Sequence, residues 1–170
     1  MSNNTHPSAI VSPDARIHPT VTIGPFCVIG AVKIGAHTRV QSYVELRDET
    51  LIGEHCYIDS GVKSSGHNRI GDHVTIRYDA ILARGCTVGD HTFIAPQVMT
   101  INLDHYGNEI GGAQIGQSCH IGTAAVLQAG IKLADDVVIG AQALVTRDCD
   151  DPGIYIGVPA RLREPRGDGI

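Results

Sequence analysis

The sequence predicts an all-β chain wound as a three-sided parallel β-helix, and three regularities carry that expectation. The first is a beat of six. Every sixth residue from Val40 reads Val40, Leu46, Ile52, Ile58, Ser64, Ile70, Ile76, Leu82, Val88, Ile94, Thr100, and nine of these eleven are aliphatic. The beat resumes as Ile115, Ile121, Leu127, Leu133, Ile139 and Val145, all six aliphatic. Upstream, Ile17, Ile23, Ile29 and Ile34 keep it with one five-residue step. An amphipathic helix repeats about every 3.6 residues and would drift out of phase. The second regularity is a small residue four positions after each aliphatic, as at Val44, Thr50, Cys56, Val62, Val74, Ala80, Cys86, Val98, Ala125 and Val137. Two inward positions per hexad describe a short strand and a turn. The third is a glycine column: Gly35, Gly53, Gly71 and Gly89 are 18 residues apart, as are Gly122 and Gly140. Eighteen is three hexads, so each coil has three sides and equivalent residues stack about 4.8 Å apart. These glycines are expected to serve turns of unusual φ and ψ.

Each element follows from that count. The chain gives roughly seven rungs, enough for neighbours to bury one another. Its 170 residues form one domain, 1–170. End rungs need caps, and the candidates are an N-terminal segment, 1–16, and a C-terminal tail, 159–170. Flat sides can pack on other prisms, which suits a homo-oligomer. Composition agrees: 42% of residues are hydrophobic, yet there are two Phe and no Trp, which fits thin repeated layers of Val, Ile and Ala. A net charge of −5 gives no overall basic field for nucleic acid. The polar start lacks the apolar stretch of a signal peptide, and no run reaches membrane-spanning length. The expectation is a cytoplasmic protein without membrane insertion.

Cys27, Cys56, Cys86, Cys119 and Cys149 all occupy the small inward site, without a C-x-x-C pair, and read as buried free thiols. His37, His55, His73 and His91 are 18 apart and stack at a turn, with Glu54, Asp72 and Asp90 preceding three of them. They are either a divalent-metal ladder or a polar turn repeated because the fold repeats; the second is preferred, and no metal is expected.

The beat breaks once. Thr100 and Ile115 are fifteen residues apart, so nine residues have been inserted without shifting the faces. The segment 101–114 is polar and glycine-rich and must leave the prism as a loop. Loops on rigid scaffolds are favoured places for chemistry. This one carries His105, beside Asp104 and Tyr106, and a histidine titrates where a general base must.

The segment Ile94-Ala-Pro-Gln-Val-Met-Thr-Ile-Asn-Leu-Asp-His105 resembles the stretch of hexapeptide sugar O-acetyltransferases that ends in their catalytic histidine. Ile121-Gly-Thr-Ala-Ala-Val126, Val138-Ile-Gly-Ala-Gln-Ala-Leu-Val-Thr-Arg-Asp148 and Gly157-Val-Pro-Ala-Arg161 are similar to the later part of that family. Ile17-His-Pro-Thr20 and Ile23-Gly-Pro-Phe-Cys-Val-Ile-Gly30 look more like the opening of lipid A acyltransferases and nucleotide-sugar N-acetyltransferases. The resemblance covers most of the chain. It implies a left-handed β-helix, a homotrimer, acetyl-CoA as co-substrate and a sugar or nucleotide-linked sugar as acceptor, O- or N-acetylated. It makes His105 the base. It points to Gly122, Thr123, Ala141, Thr146, Arg147, Arg161 and Arg163 for CoA, and to Gln97, Asn102, Asp104 and Tyr106 for the acceptor. Many O-acetyltransferases have Asn at the position of Gln97. The lipid A enzymes have histidine where Arg77 follows Thr75-Ile76, and a helical C-terminal domain for which this chain has no room. A γ-carbonic-anhydrase-like metalloprotein and a non-catalytic scaffold are the alternatives.

Overall fold

The computed structural model describes residues 4–165. From Ile10 to Val145 two-residue strands alternate with turns, and every third strand pairs in parallel with its equivalent one coil later. Three sheets result. The first face has eight strands, from Ile10–Val11 to Leu144–Val145; the second has seven, from Arg16–Ile17 to Lys132–Leu133. The third has nine, from Thr22–Ile23 to Arg161–Pro165. From Thr22–Ile23 to Leu144–Val145 the second residue of each short strand points inward and is buried, which is the six-residue beat made visible; Val11 and Ile17, on the end coil, are half-buried. Ile29, Leu46, Leu82 and Leu127 line the first face from inside, Ile34, Ile52, Ile70 and Val88 the second, and Ile58, Ile76, Ile94 and Ile121 the third.

The ends differ from expectation. The N-terminal segment is already part of the repeat, because Thr5 bridges to Ile23 and Ile10–Val11 pairs with Val28–Ile29. The C-terminal tail folds back: Arg161–Pro165 runs antiparallel against Gly153–Ile156 and closes the third face as a hairpin. Its remaining residues, 166–170, lie outside those described, as do 1–3. The loop is one residue shorter than expected, since Gln114 opens the next strand.

The glycine column does something other than the sequence suggests. None of Gly35, Gly53, Gly71, Gly89, Gly122 or Gly140 has positive φ. The left-handed residue is two positions further on: His37, His55, His73 and His91, at φ 59, 56, 56 and 59°. The glycines are needed because coils touch there. A Cβ on Gly53 would lie 2.7 Å from the Gly71 carbonyl carbon and oxygen. The histidines take the strained position instead, with rings stacked at centroid spacings of 4.9, 5.0 and 4.9 Å. The acidic column beside them bonds backbone: Asp72 accepts from the Glu54 N–H at 2.7 Å, and Asp90 from the Asp72 N–H at 2.8 Å.

Ser64 and Thr100, the two exceptions to the aliphatic beat, are buried and satisfied. Ser64 shares a 2.8 Å hydrogen bond with Thr50 and accepts another from Asn68 Nδ2. Asn68 Oδ1 accepts from the Cys86 N–H at 2.8 Å, and Thr100 Oγ1 from the Ala83 N–H at 2.7 Å. Burying such groups is tolerable only with partners.

All five cysteines are free and buried. Burial pushes each thiol up, Cys149 to about 12 with Asp148 and Asp150 adding to the effect. The fold therefore holds these groups as thiols. Their stabilising contribution is complete below the ordinary value of 9.0 and is lost as pH rises above it, for Cys149 over the interval up to about 12. Melting temperature is expected to fall from about pH 9 upwards, less steeply in Cys149→Val. A disulfide reagent at pH 7 should find all five thiols silent until denaturant is added. Rapid native labelling would contradict this burial.

Candidate functional site

The loop leaves the prism between the first and second faces. Its base is fastened to the next coil by Ile101 N–H to Leu127 O at 3.0 Å and Gly130 N–H to Gly111 O at 2.9 Å. Gly112 returns the chain against the Cys86 backbone, where a Cβ would sit 2.7 Å from Cys86 Cα. Within the loop Leu103 and Glu109 form an antiparallel bridge, and the Asn102 carbonyl accepts from Ile110 and Gly111 N–H at 2.8 and 3.2 Å.

Asp104 organises the tip. Its Oδ1 accepts from the Tyr106 and Asn108 N–H groups, both at 2.8 Å, and its Oδ2 from Asn108 Nδ2 at 2.9 Å. The Asn108 side chain first, then these backbone donors, hold the carboxyl below its ordinary value. His105 is exposed at the resulting turn, with no side-chain partner among the described residues. Asp104 is thus committed to shaping the loop and does not orient the imidazole. Tyr106 is 90% exposed, so its ring touches little of this chain.

Under the tip lies a cavity of about 330 Å³ lined by Ile101, Leu103, Asp104, His105, Ile110, Gln128 and Ala129. Its apolar floor and single imidazole suit a ligand with a reactive polar group over a hydrophobic arm. Gln128 and Ala129 were not identified in the sequence. They come from the equivalent corner one coil later, and only the register places them here.

A chain of polar contacts braces the loop from the coils below. Arg84 pairs with Glu109 at 3.7 Å and hydrogen-bonds His67 Nε2, while His67 Nδ1 meets Glu49 at 2.8 Å. The pair is exposed, so Arg84→Ala should cost under about 1 kcal/mol of global stability. It should nonetheless speed amide exchange across residues 103–109 selectively. Unchanged exchange there would show that Arg84 does not hold the loop.

The other expected site residues fall in separate places. Gln97, Gly122, Thr123 and Ala141 lie at the corner between the third and first faces, on successive coils joined by Ala124 N–H to Pro96 O at 3.0 Å and Gln142 N–H to Thr123 O at 2.8 Å. Gly122 is a contact glycine, since a Cβ would lie 2.6 Å from Ala141 N. Thr146 and Arg147 share the loop's corner, beyond Gln128 and Ala129. Arg161 and Arg163 stand exposed on the terminal hairpin. Gln97 and Ile101 are four residues apart on either side of the strand Met99–Thr100, at most about 13 Å along the first face. One chain therefore brings together His105, Asn102, Asp104 and Tyr106, and leaves most of the expected CoA residues at other corners. Among the described residues no three His, Cys, Asp or Glu side chains gather as a metal site, and no helix is long and apolar enough to cross a membrane.

Residues 4–104 match the family described as the GMPPB C-terminal domain. The chain belongs to the hexapeptide-repeat, left-handed β-helix acyltransferase family. It is similar to an acyl-[acyl-carrier-protein]–UDP-N-acetylglucosamine O-acyltransferase of Thermodesulfovibrio yellowstonii, 47% identical over 57 residues, which is 33% of this chain and 22% of that one. It is also similar to the bifunctional protein GlmU of Sphingopyxis alaskensis, 31% identical over 163 residues, 94% of this chain and 34% of that one. Among solved structures, the UDP-N-acetylglucosamine O-acyltransferase LpxA of Moraxella catarrhalis superimposes with a TM-score of 0.67 at 25% identity, covering 98% of this chain and 76% of that one. The chain thus spans between about a fifth and a third of these two curated relatives.

Proposed function

We propose that this member of the family is an acetyl-CoA-dependent transferase that acetylates a hydroxyl or amine of a sugar or nucleotide-linked sugar. The observation that carries the reading is the single loop that interrupts an otherwise regular wall and presents His105 over a cavity. In this reading His105 takes the proton as the acceptor oxygen or nitrogen attacks the thioester carbonyl. The carbon–sulfur bond then breaks, and CoA leaves as its thiol after recovering the proton. Backbone N–H groups at the corners are available to the oxyanion. Gly122, Thr123 and Ala141 leave room for the pantetheine arm against the coil, and Thr146, Arg147, Arg161 and Arg163 supply hydroxyl and guanidinium donors for phosphate. Gln97, Asn102, Asp104 and Tyr106 surround the acceptor.

Because these groups sit at different corners, the reading includes a homotrimer in which one copy's loop faces another copy's corner. Six of the eight outward residues of the first face are apolar and suit such packing: Ile10, Val28, Ile81, Met99, Val126 and Leu144, with Glu45 and Lys63 between them. The cytoplasm is the proposed compartment, since five free thiols persist in a reducing medium. The test is release of CoA thiol from acetyl-CoA across a panel of sugars and nucleotide-linked sugars, with sedimentation to count copies. Acceptor-dependent release by a trimer supports the reading. Absence of both release and CoA binding would leave a non-catalytic scaffold, a reading favoured by a family match that ends at residue 104, one short of His105.

A further inference from the structure

The five-residue step between Ile29 and Ile34 has a structural consequence away from the loop. At this corner the chain turns in three residues, Gly30, Ala31 and Val32, whereas the coils on either side use four, Ser12 to Ala15 and Arg47 to Thr50. The shortened turn is closed by Val32 N–H to Gly30 O at 2.9 Å. It is tied upward by Ala31 N–H to Asp48 Oδ1 at 2.7 Å and Glu49 N–H to Ala31 O at 3.0 Å. Strand register is untouched, with Arg16 opposite Lys33 and Lys33 opposite Leu51. The missing residue therefore leaves a notch of about 340 Å³ between two full corners.

The notch is lined with cations. Arg16, Lys33 and Arg69 rise from one column of the second face, interrupted only by Leu51. None of the three takes part in an ion pair among the described residues. Arg16 directly opposite Lys33 is a like-charge cross-strand pair, which costs stability unless an anion lies between. Two carboxylates stand at the rim. Glu49 is engaged by His67 Nδ1 at 2.8 Å; Asp14 faces the notch. Ala31, Val32 and Leu51 form an apolar floor.

We propose that this notch binds a phosphate ester of a small hydroxylated molecule. The phosphate lies between Arg16, Lys33 and Arg69, where guanidinium forks match its oxygens. Asp14 accepts from a hydroxyl of the ligand, and the ligand's carbon skeleton rests on Leu51. The shortened turn and the His105 loop stand four rungs, about 19 Å, apart along the same corner, and no residue lines both cavities, so the notch is a second site and not part of the first.

Calorimetry of the full chain with glycerol 3-phosphate, at fixed ionic strength, tests this. Saturable sub-millimolar binding is expected, weakened about tenfold or more in Arg16→Ala and in Arg69→Ala. Lys132→Ala, on the same face but outside the notch, should leave affinity unchanged. Inserting one glycine between Ala31 and Val32 restores the full corner and should abolish binding; its fold is checked by circular dichroism. Absence of binding at millimolar concentration would overturn the proposal. So would equal weakening by Lys132→Ala, which marks diffuse charge attraction, or undiminished binding in both arginine variants.

Discussion

His105→Ala should reduce acceptor-dependent release of CoA about 10²- to 10⁴-fold while leaving the melting temperature of the protein unchanged. His105 is exposed at a turn that Asp104, Asn108 and Gly107 build with their own hydrogen bonds. Removing the exposed imidazole breaks no hydrogen bond or ion pair among the described residues. The loss should fall on kcat with KM little changed, because the proton is transferred only as the nucleophile attacks. Asp104→Ala should behave differently. It releases the Tyr106 and Asn108 N–H groups and loosens the whole tip, so KM rises along with the fall in kcat. If His105→Ala retained full activity, the loop would lose its chemical role and the cavity beneath it would be a binding feature at most.

The fold was legible because a β-helix writes each geometric constraint into the sequence many times. Ile58, Ile76, Ile94 and Ile121 are one inward position sampled on successive coils. Spacing shows that a position is constrained, however, not by what. Gly53 looks like a turn residue; it is a contact between rungs, and the positive φ belongs to His55. Ser64 and Thr100 look like gaps in the core and are a hydrogen-bonded interior at the corner that carries the loop. For the site, the loop announced itself by breaking the beat. Its wall did not, because Gln128 and Ala129 approach through register alone. The pairing of Glu109 with Arg84 is equally silent, since a contact across coils has no local signature. Gln97, Thr123 and Ala141 are placed at a different corner from His105, a separation that a linear motif cannot express.

Gly89→Ala should damage the fold severely, at about 3 kcal/mol for a single methyl group. The Cβ would lie 2.5 Å from Gln117 N and 2.6 Å from Gly116 C. Both atoms are backbone, so no side chain can swing aside. The rung spacing itself must open, and the rungs above and below are fixed by parallel pairing of Thr87–Val88 to Gln114–Ile115 and to Arg69–Ile70. In an array where each coil is stabilised mainly by its neighbours, loosening one interface also weakens the coupling across it. Melting should therefore fall by about 6–12 °C and lose cooperativity, with the two halves on either side of Gly89 beginning to unfold separately. His91→Gly supplies the contrast. It lies two residues away and carries the strained backbone at φ 59°, so removing its side chain should change stability by no more than about 1 kcal/mol. If Gly89→Ala melted like the wild type while His91→Gly altered stability strongly, close approach of the coils would be refuted as the reason for the glycine column, and backbone conformation at the corner would take its place.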